Sequence, residues 1–346
     1  MKFHHLLALL LIVLGSCSPE KENRNLLMIH GSTMGTVYSV KIVQTDLARA
    51  GQDSLSLSQG IDSLLHTINQ HMSTYIDSSE ISQFNRYDKK NWFNISEDLL
   101  EVMKASIKIS ELSGGVFDIT VGPLVNLWGF GPEHQQSRIP TDLDIQSRKK
   151  TVGYQNLSIR EKPPAIRKGI PALYCDLSAI AKGYGVDKVV YYLENHQLKN
   201  FMVDIGGEIK TRGLNQNGKI WKIGVSTPDN SDGIQKVIPL SNLAVATSGD
   251  YRNYFEIEGK RYSHTIDPRT GKPIEHTLAS VTVIHESCMM ADGFATAIDV
   301  LGPDLGLEFA EQMELPAFLI VRENDRFNEK MTTGFTRILE QNQNGN

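Results

Sequence analysis

The chain is 346 residues long, with 40% apolar residues and a formal net charge of −5. That length holds one large domain or two lobes, and the composition excludes a largely disordered chain. The sequence has neither a basic patch with interleaved aromatics nor a solenoid-type repeat, which excludes nucleic acid as a partner and an array architecture.

The first segment reads as an address. Lys2 precedes an apolar run over residues 6–14, and Gly15-Ser16-Cys17 follows. The run is too short to span a bilayer as a mature helix and has the proportions of a signal peptide. Leu14-Gly15-Ser16-Cys17 resembles a bacterial lipobox. Residues 1–17 are therefore expected to be a lipoprotein signal peptide with Cys17 lipidated; the alternative is a plain secretory signal followed by a cysteine. The expected location is a bacterial membrane facing the periplasm, inner or outer being left open. Residues 18–27 read as a polar linker, 28–340 as the folded domain and 341–346 as a polar tail. Cys175 and Cys288 remain, and a chain of this length needs no disulfide staple.

Residues 28–43 read as a strand pair, or one long strand, broken near Gly31-Ser32-Thr33-Met34-Gly35-Thr36. Leu57, Ile61, Leu64, Leu65, Ile68 and Met72 mark one face of a helix. A second helix is expected from the N-cap Ser96 to Gly114-Gly115, and a third over 142–151. A short strand is expected to arrive at Asp176 and a helix to leave from about Ile180, with Ala181, Val186, Val189, Val190 and Leu193 in helical phase. Strands are expected over 201–205, 208–212, 221–225, 237–240, 244–248 and 279–285, a hairpin around Glu258-Gly259, and a helix over 290–301. Runs of strands between helices give an α+β fold rather than a doubly wound sheet. No Gly-x-Gly-x-x-Gly follows the first strand and no P-loop is present.

The chemistry concentrates around residues 174–188. Asp176 and Ser178 lie where N-cap residues belong, Lys182 opposes the helix dipole and needs another reason to be there, and Gly183 and Gly185 invite a close approach to the backbone. A phosphorylated ligand fits these features; an ordinary helix start with Lys182 in solvent is the alternative. Tyr75 is either a stacking surface for a planar ring or a core tyrosine. Residues 114–131 carry Asp118 and Thr120, then Trp128 and Phe130 among glycines, which reads as a loop with a buried tryptophan or as the wall of a flat ligand's pocket. Asp204-Ile205-Gly206-Gly207-Glu208 sets two acids around a bulge or close approach, where they touch a ligand hydroxyl or cap the turn. His264 precedes the turn Asp267-Pro268-Arg269-Thr270-Gly271 and has the titration range of a general base. Asp292 and Thr296, four apart on one helix face, offer a carboxylate and a hydroxyl to a hard cation such as Mg2+, or serve only as a helix acid and a core hydroxyl.

Taken in order, these blocks resemble the ApbE family, the bacterial FAD:protein FMN transferases. The resemblance runs from about Thr33 to Thr296 through Ser32-Thr33-Met34-Gly35-Thr36, Met72-Ser73-Thr74-Tyr75, residues 115–123, Trp128-Gly129-Phe130-Gly131, residues 176–187, Asp204-Ile205-Gly206-Gly207, residues 263–271 and residues 292–296. It implies an α+β, T-fold-like core with FAD as substrate. FAD is cleaved, FMN passes through a phosphoester to a threonine or serine of an acceptor protein, such as a membrane redox subunit or another extracytoplasmic flavoprotein, and AMP leaves. It further implies an FAD site lined by Met34, Tyr75, Val116, Phe117, Asp118, Asp176, Lys182, His264 and Ile266. Mg2+ would be held by the carbonyl of Ala179 with Asp292 and Thr296. The catalytic residues would be His264 as base, with Lys182 and Asp292. Some members carry a further acid near the metal, where this chain has Met289 and Met290; one tight metal site is expected and a second is left open. The alternatives are an FAD pyrophosphatase giving FMN and AMP, and a lipid-anchored FAD-binding protein.

Overall fold

Strict alternation of apolar side chains to opposite faces organises the strands. A computed structural model describes residues 25–132, 139–229, 233–249, 254–257, 259–324 and 326–343. The expected signal peptide and Cys17 lie outside them, as do Ser18–Arg24 of the linker and Glu258 of the expected hairpin turn. Eight strands form one sheet: β1 (Leu26–Thr33), β2 (Thr36–Val43), β3 (Phe201–Ile205), β4 (Glu208–Arg212), β5 (Ala244–Gly249), β6 (Leu278–His285), β7 (Ala317–Glu323) and β8 (Arg326–Met331). Their order across the sheet equals their order in the chain, and every neighbouring pair is antiparallel. The sheet is thus one meander, with helices and smaller hairpins inserted in its connections.

Both faces are covered, which the period of two makes visible. Phe201, Val203 and Ile205 of β3 and Ala317, Leu319 and Val321 of β7 enter the larger core cluster. Met202, Phe318 and Ile320, one residue out of phase, enter a second cluster on the other face. The larger cluster is closed by four helices: α1 (Ser54–Met72), α2 (Glu97–Leu112), α3 (Ala181–Asn195) and α4 (Cys288–Leu301). The second is closed by the hairpin Trp221–Ser226/Ile234–Leu240 and by residues of the last helix, Thr333–Gln343. Each of the first two helices begins at a side-chain cap, Asp53 accepting from Ser56 N and Ser96 from Leu99 N.

Several expectations change. β1 begins at Leu26, inside the expected linker, because Leu26 and Leu27 pair with Val43 and Ile42. The last helix runs into the expected polar tail. No strand arrives at Asp176: residues 173–177 are irregular. Their backbone is satisfied by a side chain instead, since Asn85 accepts from Cys175 N (2.7 Å) and donates to Cys175 O (2.8 Å). Asp176 and Ser178 do not cap α3, whose N-cap is Ile180 with no side-chain bond. Gly206-Gly207 is no bulge but a two-residue hairpin turn, both glycines at positive φ (64° and 102°), with Ile205 paired to Glu208 across it. Residues 115–127 hold a 3-10 turn (Ile119–Val121) and a short helix (Gly122–Leu127) rather than a loop. Cys175 and Cys288 are both buried and free.

Candidate active site

One cleft of about 780 Å3 lies where the ends of the β1–β2 and β3–β4 hairpins, the far end of β5, the first turn of α3 and the Asp292–Thr296–Val300 face of α4 converge. That volume suits a ligand larger than a single small metabolite. Tyr75, Val116, Phe117, Asp118, Asp176, Ala179, Lys182, His264, Ile266, Asp292 and Thr296 all border it. Met34 is not among its lining residues. It sits in the β1–β2 turn at a φ of 50° and packs on α3, its Cε close to Gly185.

The walls are tied to one another by short polar bridges. Asp118 is buried and accepts from Thr120 N (2.8 Å), the Thr120 hydroxyl (2.7 Å) and Tyr154 N (2.9 Å). Burial pushes its carboxyl above the usual range, against those three bonds, which pull it down. Asp176 accepts from Ser178 N (2.8 Å) and from the Ser178 hydroxyl, and its own N–H donates to Ile119 O (2.7 Å). Tyr75 donates its hydroxyl to Phe130 O at 3.2 Å. Trp128 is buried, its indole N–H on Gly271 O (2.9 Å), while Phe130 lines the cleft and presents its ring to His264 at 6.4 Å between centroids. The two aromatics therefore divide the roles that the sequence left open between them. The segment carrying His264 is held by Thr265, whose N–H donates to Ser263 Oγ (3.1 Å) and whose hydroxyl donates to Asp299 (3.1 Å).

Charge collects on the floor. Asp292 Oδ2 accepts from Gly183 N at 2.9 Å, so a residue of α4 satisfies one of the free N–H groups that Ile180 leaves uncapped at the start of α3. Lys182 Nζ meets Glu208 Oε1 at 2.6 Å. Glu208 is 1% exposed, and its Oε2 has no hydrogen-bond partner among the described residues. Burial pushes the Glu208 carboxyl above its ordinary range, helped by the charge of Asp292; the Lys182 ammonium in contact with it opposes that rise and favours the carboxylate. Burial also raises Asp292. Burial disfavours the Lys182 ammonium, but Glu208 and Asp292 together outweigh it and hold the amine above its ordinary range. Lys182 thus remains the cation, in contact with Glu208 and within the field of Asp292.

Of the two acids around Gly206-Gly207, Asp204 caps the turn by accepting from Gly207 N (3.0 Å), whereas Glu208, for which only a ligand hydroxyl or a capping role was expected, pairs with Lys182. Two signals pointed to it: a lysine set against the helix dipole, and an acid directly after Gly-Gly. The close approach that the glycines of α3 invite is made by the protein itself. A Cβ on Gly183 would lie 2.4 Å from Cys288 O and 2.8 Å from Asp292 Cβ, so it is α4, not a ligand, that approaches there. Behind the floor a second pair of opposite polarity, Lys210–Asp187 (2.6 Å), joins β4 to α3, and Asp187 also accepts from Ser287 Oγ (2.7 Å) and Met289 N (3.0 Å) at the start of α4.

The ApbE family sequence model matches residues 34–319. The FAD:protein FMN transferase of Vibrio cholerae serotype O1 is 44% identical over 330 residues, covering 95% of this chain and 96% of that protein. Its counterpart in Escherichia coli K12 is 36% identical over 315 residues, covering 90% and 89%. Solved structures that are similar include the following two. One is the flavin transferase ApbE from Vibrio cholerae (TM-score 0.83, 42% identity, 91% of this chain and 99% of that one). The other is the flavinyl transferase ApbE from Pseudomonas stutzeri in its apo form (TM-score 0.84, 38% identity, 91% and 97%).

Proposed function

The chain belongs to the ApbE family, and from that membership we propose the chemistry of its cleft. It is an FAD:protein FMN transferase. FAD is its substrate and a protein hydroxyl its acceptor. The observation that carries the residue assignment is the convergence of Lys182, His264, Asp292 and Thr296 on one cleft.

The acceptor oxygen bonds to the FMN-side phosphorus as the bond from that phosphorus to the AMP oxygen breaks. AMP leaves with the bridging oxygen, and the hydroxyl proton passes to an imidazole nitrogen of His264. Lys182, fixed by Glu208, faces the negative charge of the pyrophosphate. Phe117, Val116 and Ile266 supply the apolar walls and Tyr75 an aromatic edge. Because the nucleophile arrives on the partner, the chain needs no Ser-His-Asp arrangement of its own.

Mg2+ suits the donor set. Asp292 and Thr296 are oxygen donors one helical turn apart on α4, both at the cleft, and the backbone of Ala179 borders it. When bound, the ion would withdraw charge from the phosphate oxygens. Tethering through Cys17 at a membrane facing the periplasm is supported by Leu14-Gly15-Ser16-Cys17; no helix among the described residues is long and apolar enough to cross a membrane. Cys17→Ala is expected to abolish incorporation of labelled palmitate.

The deciding test incubates the protein with FAD, Mg2+ and a threonine-bearing acceptor peptide, reading in-gel flavin fluorescence and AMP release together. Covalent flavin on the peptide, reduced about a hundredfold or more by Asp292→Ala or His264→Ala, is the expected result. AMP and free FMN with an unlabelled acceptor would mark a pyrophosphatase, and bound, uncleaved FAD a storage protein.

A further inference from the structure

We infer that Glu208 is a positioning residue that sorts charge in the site: it takes the Lys182 ammonium and so keeps the Asp292 carboxylate open to a divalent cation. This rests on the reading of Asp292 and Thr296 as the cation site.

One ammonium stands among two buried acids, and it raises the question of which acid it pairs with. The ion pair is with Glu208, at 2.6 Å, while the bond to Asp292 comes from an uncharged donor, the Gly183 N–H at 2.9 Å. Glu208 holds its place for a backbone reason. It is the first residue after the two-glycine turn, paired in register with Ile205, and β4 is clamped to α3 again at Lys210–Asp187. Its carboxylate is buried to 1% exposure, and Oε2 is left without a hydrogen-bond partner among the described residues, so Lys182 is what compensates its charge. Remove that charge and the acid left for the ammonium is Asp292, which bonds the N–H of the next residue, Gly183, and whose field already acts on Lys182. An ammonium resting on Asp292 competes directly with a cation for the same oxygens. Two carboxylates and one ammonium sum to a single negative charge, which a divalent ion turns positive in front of an anionic pyrophosphate.

The test measures Mn2+ binding to the full-length protein by electron paramagnetic resonance, with ADP as the pyrophosphate-bearing probe. Glu208→Gln is expected to weaken Mn2+ at least tenfold. Glu208→Gln with Lys182→Gln is expected to return to within about threefold of the wild type, since no ammonium remains to compete. Glu208→Asp, which keeps the charge, is expected to bind within about threefold, and guards against a Glu208→Gln protein that does not fold. In turnover, Glu208→Gln is expected to raise the Mg2+ concentration for half-maximal rate about tenfold, with part of the rate recovered at saturation. Lys210→Gln breaks the neighbouring pair and lowers the melting temperature, but is expected to leave Mn2+ affinity alone. Wild-type affinity in Glu208→Gln would overturn the inference. So would a double variant no better than the single one, or an equal loss in Lys210→Gln. A wild type that binds no Mn2+ removes the cation reading of Asp292 and Thr296, and the inference with it, before any variant is compared.

Discussion

His285 ends β6 two residues before the N-cap of α4, and its Nδ1 accepts the Ser287 N–H at 2.9 Å. Burial holds the imidazole below its ordinary value of 6.5, so the folded state binds its proton less readily than the unfolded chain does. The stability it contributes is present above 6.5 and is lost as the pH falls below that value. His285→Gln is expected to cost about 1 kcal/mol at pH 8 through the weakened bond, yet to melt with a shallower decline below pH 6.5 than the wild type. Melts across pH 5 to 8 check both. Asp118 makes the opposite case, a buried acid held by three hydrogen bonds. Asp118→Ala leaves Tyr154 N and Thr120 N without that acceptor and is expected to cost about 2–4 kcal/mol in chemical denaturation. The residue types at these positions were readable, with partners Ser287 and Thr120 only two places on; the Tyr154 N–H, 36 places along the chain from Asp118, was not.

The first two turns of α3 contain two glycines that differ in what they face. At Gly183 an added Cβ meets backbone, Cys288 O at 2.4 Å and its carbon at 2.7 Å. At Gly185 it meets the flexible ends of Met34 (3.0 Å) and Ile205 (3.3 Å). Gly→Ala in a helix is favourable by about 1 kcal/mol in itself. Gly185→Ala is therefore expected to be close to neutral in a thermal melt. Gly183→Ala must push α4 away, is expected to destabilise by about 1–3 kcal/mol, and lowers transfer because Asp292 rides on α4. Periodicity located α1, α2, α3 and α4 within a few residues, and the caps Asp53 and Ser96 explain why. It failed at Asp176, where an extended segment finds its partner in the Asn85 side chain instead of a strand.

On the scale of the whole molecule, a meander of antiparallel strands fixes one cleft at the ends of two hairpins, while α3 and α4 carry Lys182 and Asp292 to it and β4 carries Glu208. Cys175 and Cys288 lie on that helical side, fully buried, and burial pushes both thiols up. Both are expected to be silent toward a thiol reagent in the native state and to react together on global unfolding. A protein lacking residues through Cys17 should give no fast phase with Ellman's reagent and two equivalents in denaturant. Early reaction of one thiol would mean that its element opens separately.

Sequence alone determined the α+β class and the phases of the four long helices, and it named Tyr75, Asp118, Asp176, Lys182, His264, Asp292 and Thr296, which border the cleft beside many residues it did not name. Those features are local or periodic: a helix face repeats every three or four residues, a strand every two, and a turn declares itself in glycine, proline and aspartate. Tertiary structure alone decided that Lys182 pairs with Glu208, that Met34 packs on Gly185 behind the cleft, and that Gly183 makes room for Asp292. Each of these is a contact between segments far apart in the chain. Its geometry is set by the register across a two-residue turn and by the approach of α3 to α4, and neither distance is written in the spacing of residues along one segment.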